Sequence, residues 1–252
     1  MKLIVAKYLF PKNLGKQCTN VNPNWRVVKM DPKELREISR SKLDQVLEAL
    51  DAGQVEEAKE LVKIMKDESK HCHDLMVDYV WILLTYIGRM FGEEEVEKAL
   101  RFRHNVQNQV AERMIGMTPE DAIRFKAMIN RGHHTKISIN EEEDRFVLKF
   151  DPCNTGGRML RLGLDKPPIN LLRTKKAYPW TWSKENISYY CAHCAMLEIQ
   201  SMEKGAPHPT FIYECPEDPN DPCIQYCYKK TDDVPERYFQ RIGKKKPPSS
   251  KK

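Results

Sequence analysis

Six of the eight cysteines in this 252-residue chain lie after residue 150, so the fold of the C-terminal half has to place them. They occur as Cys153 in Asp151-Pro-Cys-Asn-Thr-Gly-Gly-Arg158, as the pair in Cys191-Ala-His-Cys194, and as Cys215, Cys223 and Cys227. A Cys-x-x-Cys spacing lets two thiolates reach one tetrahedral ion, and the imidazole between them offers a further ligand or a proton carrier. The opening Met1-Lys-Leu-Ile-Val-Ala-Lys does not read as a secretion signal. Thiols and ligands in a reducing cytoplasm are therefore expected, rather than a disulfide framework.

Hydrophobic residues make up 40% of the chain and charged residues 31%, which suits a soluble globular protein with a sizeable core. The formal net charge is +6, but residues 241–252 hold six basic residues and no acid, which leaves the rest formally neutral. A basic tail of this kind solubilises; the body lacks the electrostatic footprint of a nucleic-acid binder. The longest apolar-rich run, Leu75 to Ile87, is too short to span a bilayer, so no membrane partner is expected.

The pattern along the chain is helical first and extended later. A short strand is expected at Leu3–Ala6, and Cys18 stands alone in an N-terminal segment, residues 1–30. Asp31-Pro32 is a helix start, with Asp as N-cap and Pro at the first position. Leu35, Ile38, Leu43, Val46, Leu47 and Leu50 continue a helical stripe to Gly53. A further helix runs from Val55 to Met65. The next, Ser69 to Phe91, is apolar around most of its circumference and reads as the most buried in the chain. His73 lines up with Val77, Val80 and Leu84 on that helix and is expected to face the core, with Asp74 or Asp78 as its acid partner. Helices from Glu93 to Met114 and from Thr118-Pro119 to Arg131 complete a helical part, residues 31–132.

After Gly132, alternation in His134–Asn140 and Arg145–Asp151 predicts a β-hairpin. Residues 162–184 read as an irregular loop. A helix is expected from the Cys-x-x-Cys to Glu203, and a second strand pair at Thr210–Cys215 and Cys223–Tyr228. The fold class is thus α+β: a helical N-terminal part followed by an antiparallel-sheet domain, residues 133–232, that carries a Cys/His site. A basic disordered tail is expected from residue 233.

The strand ending at Asp151 delivers Cys153 to the sheet end, where Gly156-Gly157 lets the backbone turn tightly. Cys153 is there a candidate ligand or nucleophile, with Arg158 placed to lower its pKa or hold a substrate carboxylate. Cys153, Cys191, Cys194 and His193 form a candidate metal set matching zinc, with iron or an iron–sulfur cluster as the alternative. Cys223 and Cys227, four apart on a strand, stand about 13–14 Å from each other and do not easily bind one ion together while extended, but Cys215 and Cys223 can approach across the second strand pair, so one of them is a candidate to complete the site. His133 and His134 sit where the last helix enters the hairpin, and one of them is a candidate acid–base group.

His73-Asp74 with its apolar helix and Gly-Glu-Glu turn, and Asp-Pro-Cys-x-x-Gly-Gly-Arg followed by Tyr-Cys-x-His-Cys, resemble the L-2-amino-thiazoline-4-carboxylic acid hydrolase-like group, in its uncharacterised bacterial members. The closing Glu214-Cys215 and Asp221-Pro-Cys223 resemble that group's closing Cys-containing hairpin and, more distantly, the 4-vinyl reductase small-molecule-binding domain. The resemblance covers residues 55–230. It implies a helical lead-in to an α+β domain that holds a small ligand or metal.

The expectation is a bacterial, cytoplasmic, metal- or thiol-dependent hydrolase of a small molecule. In it, His73, His134 and His193 move protons, Arg158 holds an anionic group, and Cys153 or a zinc-bound water attacks. The alternative is a sensor or carrier that binds a metal, cluster or small ligand without turnover. Both leave an oligomer open.

Overall fold

A computed structural model describes residues 31–106 and 116–249. The expected strand at Leu3–Ala6, Cys18 and the end of the Glu93–Met114 helix lie outside the described residues. The chain divides into two compact units, residues 1–73 and 74–252. The division falls inside one long helix rather than at residue 132.

The first unit holds α1 (Pro32–Ser39), α2 (Lys42–Asp51) and the beginning of α3 (Val55–Phe91). Asp31 caps α1 as expected, accepting from the Lys33 amide at 2.9 Å, with Pro32 at the first helical position. The single stripe expected up to Gly53 is two helices, because Arg40 and Ser41 are extended. Val46, Ala49 and Ala58 form a small buried core. The two helices expected between Val55 and Phe91 are one, uninterrupted over 37 residues.

In the second unit α3 is followed by α4 (Glu93–Val106) and α5 (Pro119–Gly132). Thr118 caps α5, accepting from the Asp121 amide. Then come β1 (Ile137–Glu141) and β2 (Arg145–Phe150), the expected hairpin, and a short helix α6 (Gly156–Arg161). Gly156-Gly157 thus opens a helix rather than closing a turn. The irregular stretch contains one 3₁₀ turn, Pro179–Thr181, and leads to α7 (Ala192–Glu203), β3 (Ile212–Glu214), β4 (Cys223–Tyr228) and α8 (Arg237–Gln240). The four strands form an antiparallel sheet in the order β1-β2-β4-β3. Phe150 faces Cys223 and Leu148 faces Gln225 across β2 and β4. Burial alternates along β2, the signature of a sheet covered on one face. The architecture is α+β, with helices leading into the sheet.

Within this unit α3 buries one side only. Val77, Trp81 and Leu84 are buried, and Trp81 Nε1 donates to the Leu172 carbonyl at 2.8 Å. A Cβ at Gly88 would collide with the Tyr189 ring, so the helix backbone lies directly on that tyrosine. Leu75, Met76, Val80 and Leu83 are exposed. The expectation of the most buried helix is therefore corrected: its apolar circumference needs cover on both sides and receives it on one.

The closing segment is folded through residue 249, not a disordered tail. Val234, Tyr238 and Phe239 pack with Ile212 and Tyr228, and Ile242 joins the main core. Three of its basic side chains are in use. Arg241 pairs with Glu198 at 2.9 Å, Lys244 with Glu203 at 3.0 Å, and Lys246 donates to the carbonyls of Asp232 and Val234. Net charge alone conceals this, since apolar side chains between the lysines decide whether a basic stretch packs. Among the described residues no helix is long and apolar enough to cross a membrane.

Candidate functional site: a thiol-lined cavity

One face of the sheet, α5, α7 and the start of α6 enclose a cavity of about 310 Å³. Five cysteines line it: Cys153 before α6, Cys191 and Cys194 at the start of α7, Cys215 after β3, and Cys223 on β4. The strand alternation explains the last of these. Cys223 and Gln225 share a face and line the cavity, and Tyr213, paired with Gln225 across β3 and β4, does so too. Cys227 is buried elsewhere, its sulfur 4.0 Å from the Pro119 carbonyl.

Three of the thiols are in series. Cys191 interacts with Cys215, and Cys215 with Cys223. The neighbouring Cys215 and burial together push the Cys191 thiol well above the ordinary range. Cys191 favours the Cys215 thiolate, but Cys223 and burial outweigh it, and Cys215 also stays far above. Cys215 favours the Cys223 thiolate, and burial still raises its pKa. Burial raises Cys194 as well. As free groups these four are protonated thiols, poor nucleophiles at neutral pH.

Local packing fixes the sulfurs. A Cβ at Gly156 would overlap the Cys191 sulfur, and one at Gly157 would meet Cys153 Cβ at 3.0 Å. Arg161 donates to the Cys153 carbonyl at 2.8 Å and to the Pro219 carbonyl at 2.7 Å, tying the Cys153 loop to the loop before β4. Cys153 Sγ lies 3.3 Å from Thr155 Oγ1. His193 Nε2 is 3.5 Å from Cys194 Sγ, its Nδ1 is bonded to the Tyr190 carbonyl, and its ring packs edge-on against Tyr190.

Cationic groups face the same cavity. Lys126 on α5 is buried, with Nζ 2.8 Å from the Tyr213 hydroxyl and 5.1 Å from the ring centroids of Phe211 and Tyr213. Among the described residues no carboxylate stands within ion-pair distance of it, and burial pushes its ammonium below the usual lysine range. The exposed Arg103 of α4 also lines the cavity.

The structure thus brings together Cys153, Cys191, His193 and Cys194, the expected metal set. It adds Cys215 and Cys223, which the spacing alone left unassigned. Among the described residues no three His, Cys, Asp or Glu side chains converge as ligands of one metal ion would. The sulfurs are distributed around a space. Of the paired histidines, His133 lines the cavity. His134 is left-handed at the end of α5, and its carbonyl accepts from Asn154 at 3.2 Å. Arg158 does not line the cavity; it is held by Asp74 at 3.3 Å and Asp78 at 2.5 Å. Asp74 and Asp78, the candidate acids for His73, both pair with this arginine. His73 belongs to the first unit, half-buried on α3. Lys126 was missed because one lysine in an amphipathic helix carries no sequence signal of burial. Its place in Ala122-Ile123-Arg-Phe-Lys126-Ala127, between apolar neighbours, is the available hint. In comparisons with protein-family models, curated proteins and solved structures, no match to this chain is found.

Proposed function

We propose that the cavity holds a thiolate-ligated polynuclear metal centre of the iron–sulfur type, through which the protein binds or acts on a small molecule. The observation that carries this reading is the set of five thiols on the wall of one cavity beside the buried Lys126. Soft thiolates select iron–sulfur clusters, zinc and copper(I), and a metal deprotonates thiols that burial otherwise keeps neutral. A single zinc ion requires four ligands converging tetrahedrally on a point. Sulfurs spaced around a cavity suit a centre of several atoms better. Cys153, Cys191, Cys194, Cys215 and Cys223 are the candidate ligands, and His193 lies beside Cys194. Such a centre is anionic, and a buried ammonium supplies the opposing charge where the dielectric is low.

Purification without oxygen, followed by iron, zinc and acid-labile sulfide analysis, tests this. Iron and sulfide in stoichiometric amounts are expected, lost in Cys194→Ser and Cys215→Ser and kept in Cys227→Ser. A protein free of iron, sulfide and zinc overturns the metal reading. Zinc without sulfide replaces the cluster by a zinc centre.

A second reading, a thiol-dependent hydrolase, is favoured by Cys153. It is half-buried, it faces the cavity, and its sulfur has a hydroxyl neighbour. Rapid alkylation of Cys153 in the metal-free protein, prevented by a metal, distinguishes the two.

A further inference from the structure

We propose that the outer face of α3 is a homodimer interface, in which two copies of this chain pair antiparallel about Leu83. Met76, Tyr79, Leu83, Tyr86 and Met90 follow one another at intervals of three, four, three and four residues, the spacing of a coiled-coil seam. All five are exposed, by 43–71%. Leu75, Val80 and Ile82 flank the seam and are exposed as well. The opposite side of the helix is filled by Val77, Trp81 and Leu84, so the exposed stripe is not the core-facing one.

Charge is absent from the stripe. Between residues 75 and 88 the one charged side chain is Asp78, and it is held by Arg158 of the same copy. Arg89, at the end of the stripe, donates to the Asn170 carbonyl of its own chain. Water therefore meets about 21 Å of helix with an unbroken apolar surface. Isolated exposed apolar residues need no explanation, but a contiguous stripe of this size marks an interface.

The order of residues identifies the occupant. Met-Tyr-Leu-Tyr-Met reads the same in both directions. Under a two-fold axis at Leu83, Leu83 meets its own copy, Tyr79 meets Tyr86 of the second copy, and Met76 meets Met90 of the second copy. Such self-complementarity is what an isologous interface requires. The area is sufficient too. Eight side chains, each with roughly half of a surface on the order of 200 Å² free, give about 800 Å² per copy, the share of one partner in a standard stable interface.

The test is the mass of the intact chain by light scattering after gel filtration at micromolar concentration. Twice 29.5 kDa is expected. Leu83→Glu is expected to give a monomer whose circular dichroism and melting temperature stay close to native, because Leu83 points outward. The orientation is tested by charge pairs. Tyr79→Lys and Tyr86→Glu are each expected to weaken the dimer at least tenfold. The double variant regains most of this, because the new opposite charges then meet across the axis. A parallel pairing places like charges together and gives no recovery. A monomeric native chain overturns the proposal, whether residues 1–30 or another protein cover the face. So does a Leu83→Glu variant that stays dimeric, or a double variant that fails to recover.

Discussion

Glu198 and Arg241, 43 residues apart, meet at 2.9 Å inside the fold, and the carboxylate is fully buried. Glu198 Oε1 also accepts from Trp182 Nε1 at 2.9 Å and from the Tyr213 amide at 2.7 Å, while Oε2 has no partner among the described residues. One acid thus joins the irregular stretch, β3 and the closing segment to α7, the helix that carries the Cys-x-x-Cys. Burial pushes its pKa up to about 7, against the pull of Arg241 and the donors around it.

This acid makes stability fall as pH rises. The folded-state pKa lies above the ordinary 4.5, so the folded state binds the proton more tightly. The contribution is fully present below pH 4.5 and is lost as pH passes about 7. The shift corresponds to roughly 3 kcal/mol. Thermal melts between pH 4.5 and 8 are expected to show this decline, and Glu198→Gln to flatten it. A variant with the native slope assigns the slope to another group.

Arg158 is expected to act on stability rather than on ligand binding. Replacing it with Met leaves Asp74 and Asp78 facing each other without their cation, at a cost of about 2–3 kcal/mol. Urea unfolding of Arg158→Met should show that loss, with metal content per folded molecule unchanged. Selective loss of metal with native stability refutes the anchoring role.

Gly156→Ala is expected to cost about 1–3 kcal/mol and to lower metal loading, since the new methyl group takes the space of the Cys191 sulfur. Gly132→Ala is the control. Its Cβ meets nothing within 4 Å, so it should be neutral or slightly stabilising. Equal effects at the two positions would dismiss the packing argument.

Lys126→Met separates charge from packing. Removing a buried ammonium that has no carboxylate partner among the described residues should leave the metal-free protein at least as stable as native. Loading should fall, because the proposed anionic centre loses its opposing charge. A destabilised variant with full loading contradicts this. The measurement is melting temperature beside iron and sulfide content.

Much of this arrangement was legible in the sequence, and the limits are physical. The two Pro-started helices, the hairpin, the second strand pair and the helix after Cys191 follow from caps and periodicity, which are local. Cys153, Cys191, Cys194 and His193 were legible as a set because thiols are rare and closely spaced. Cys215 and Cys223 were legible only as a pair able to meet across the second strand pair, one of them a candidate to complete the site, since their approach to Cys191 depends on how α7 lies against the sheet. Arg158 looked like a substrate contact because nothing local shows that Asp74 and Asp78 arrive beside it from α3. The tail was misjudged because its basic residues outnumber Tyr238, Phe239 and Ile242, although the aromatic pair decides its packing.

The glycines beside the thiols have one more consequence. The depth at which the Cys191 sulfur and the Cys153 side chain lie is set by carbons that are missing from α6, not by groups that hold them. The wall of the cavity is therefore shaped by subtraction. The room it offers is encoded at Gly156 and Gly157, two residues with no side chain to offer a ligand, as firmly as at the cysteines.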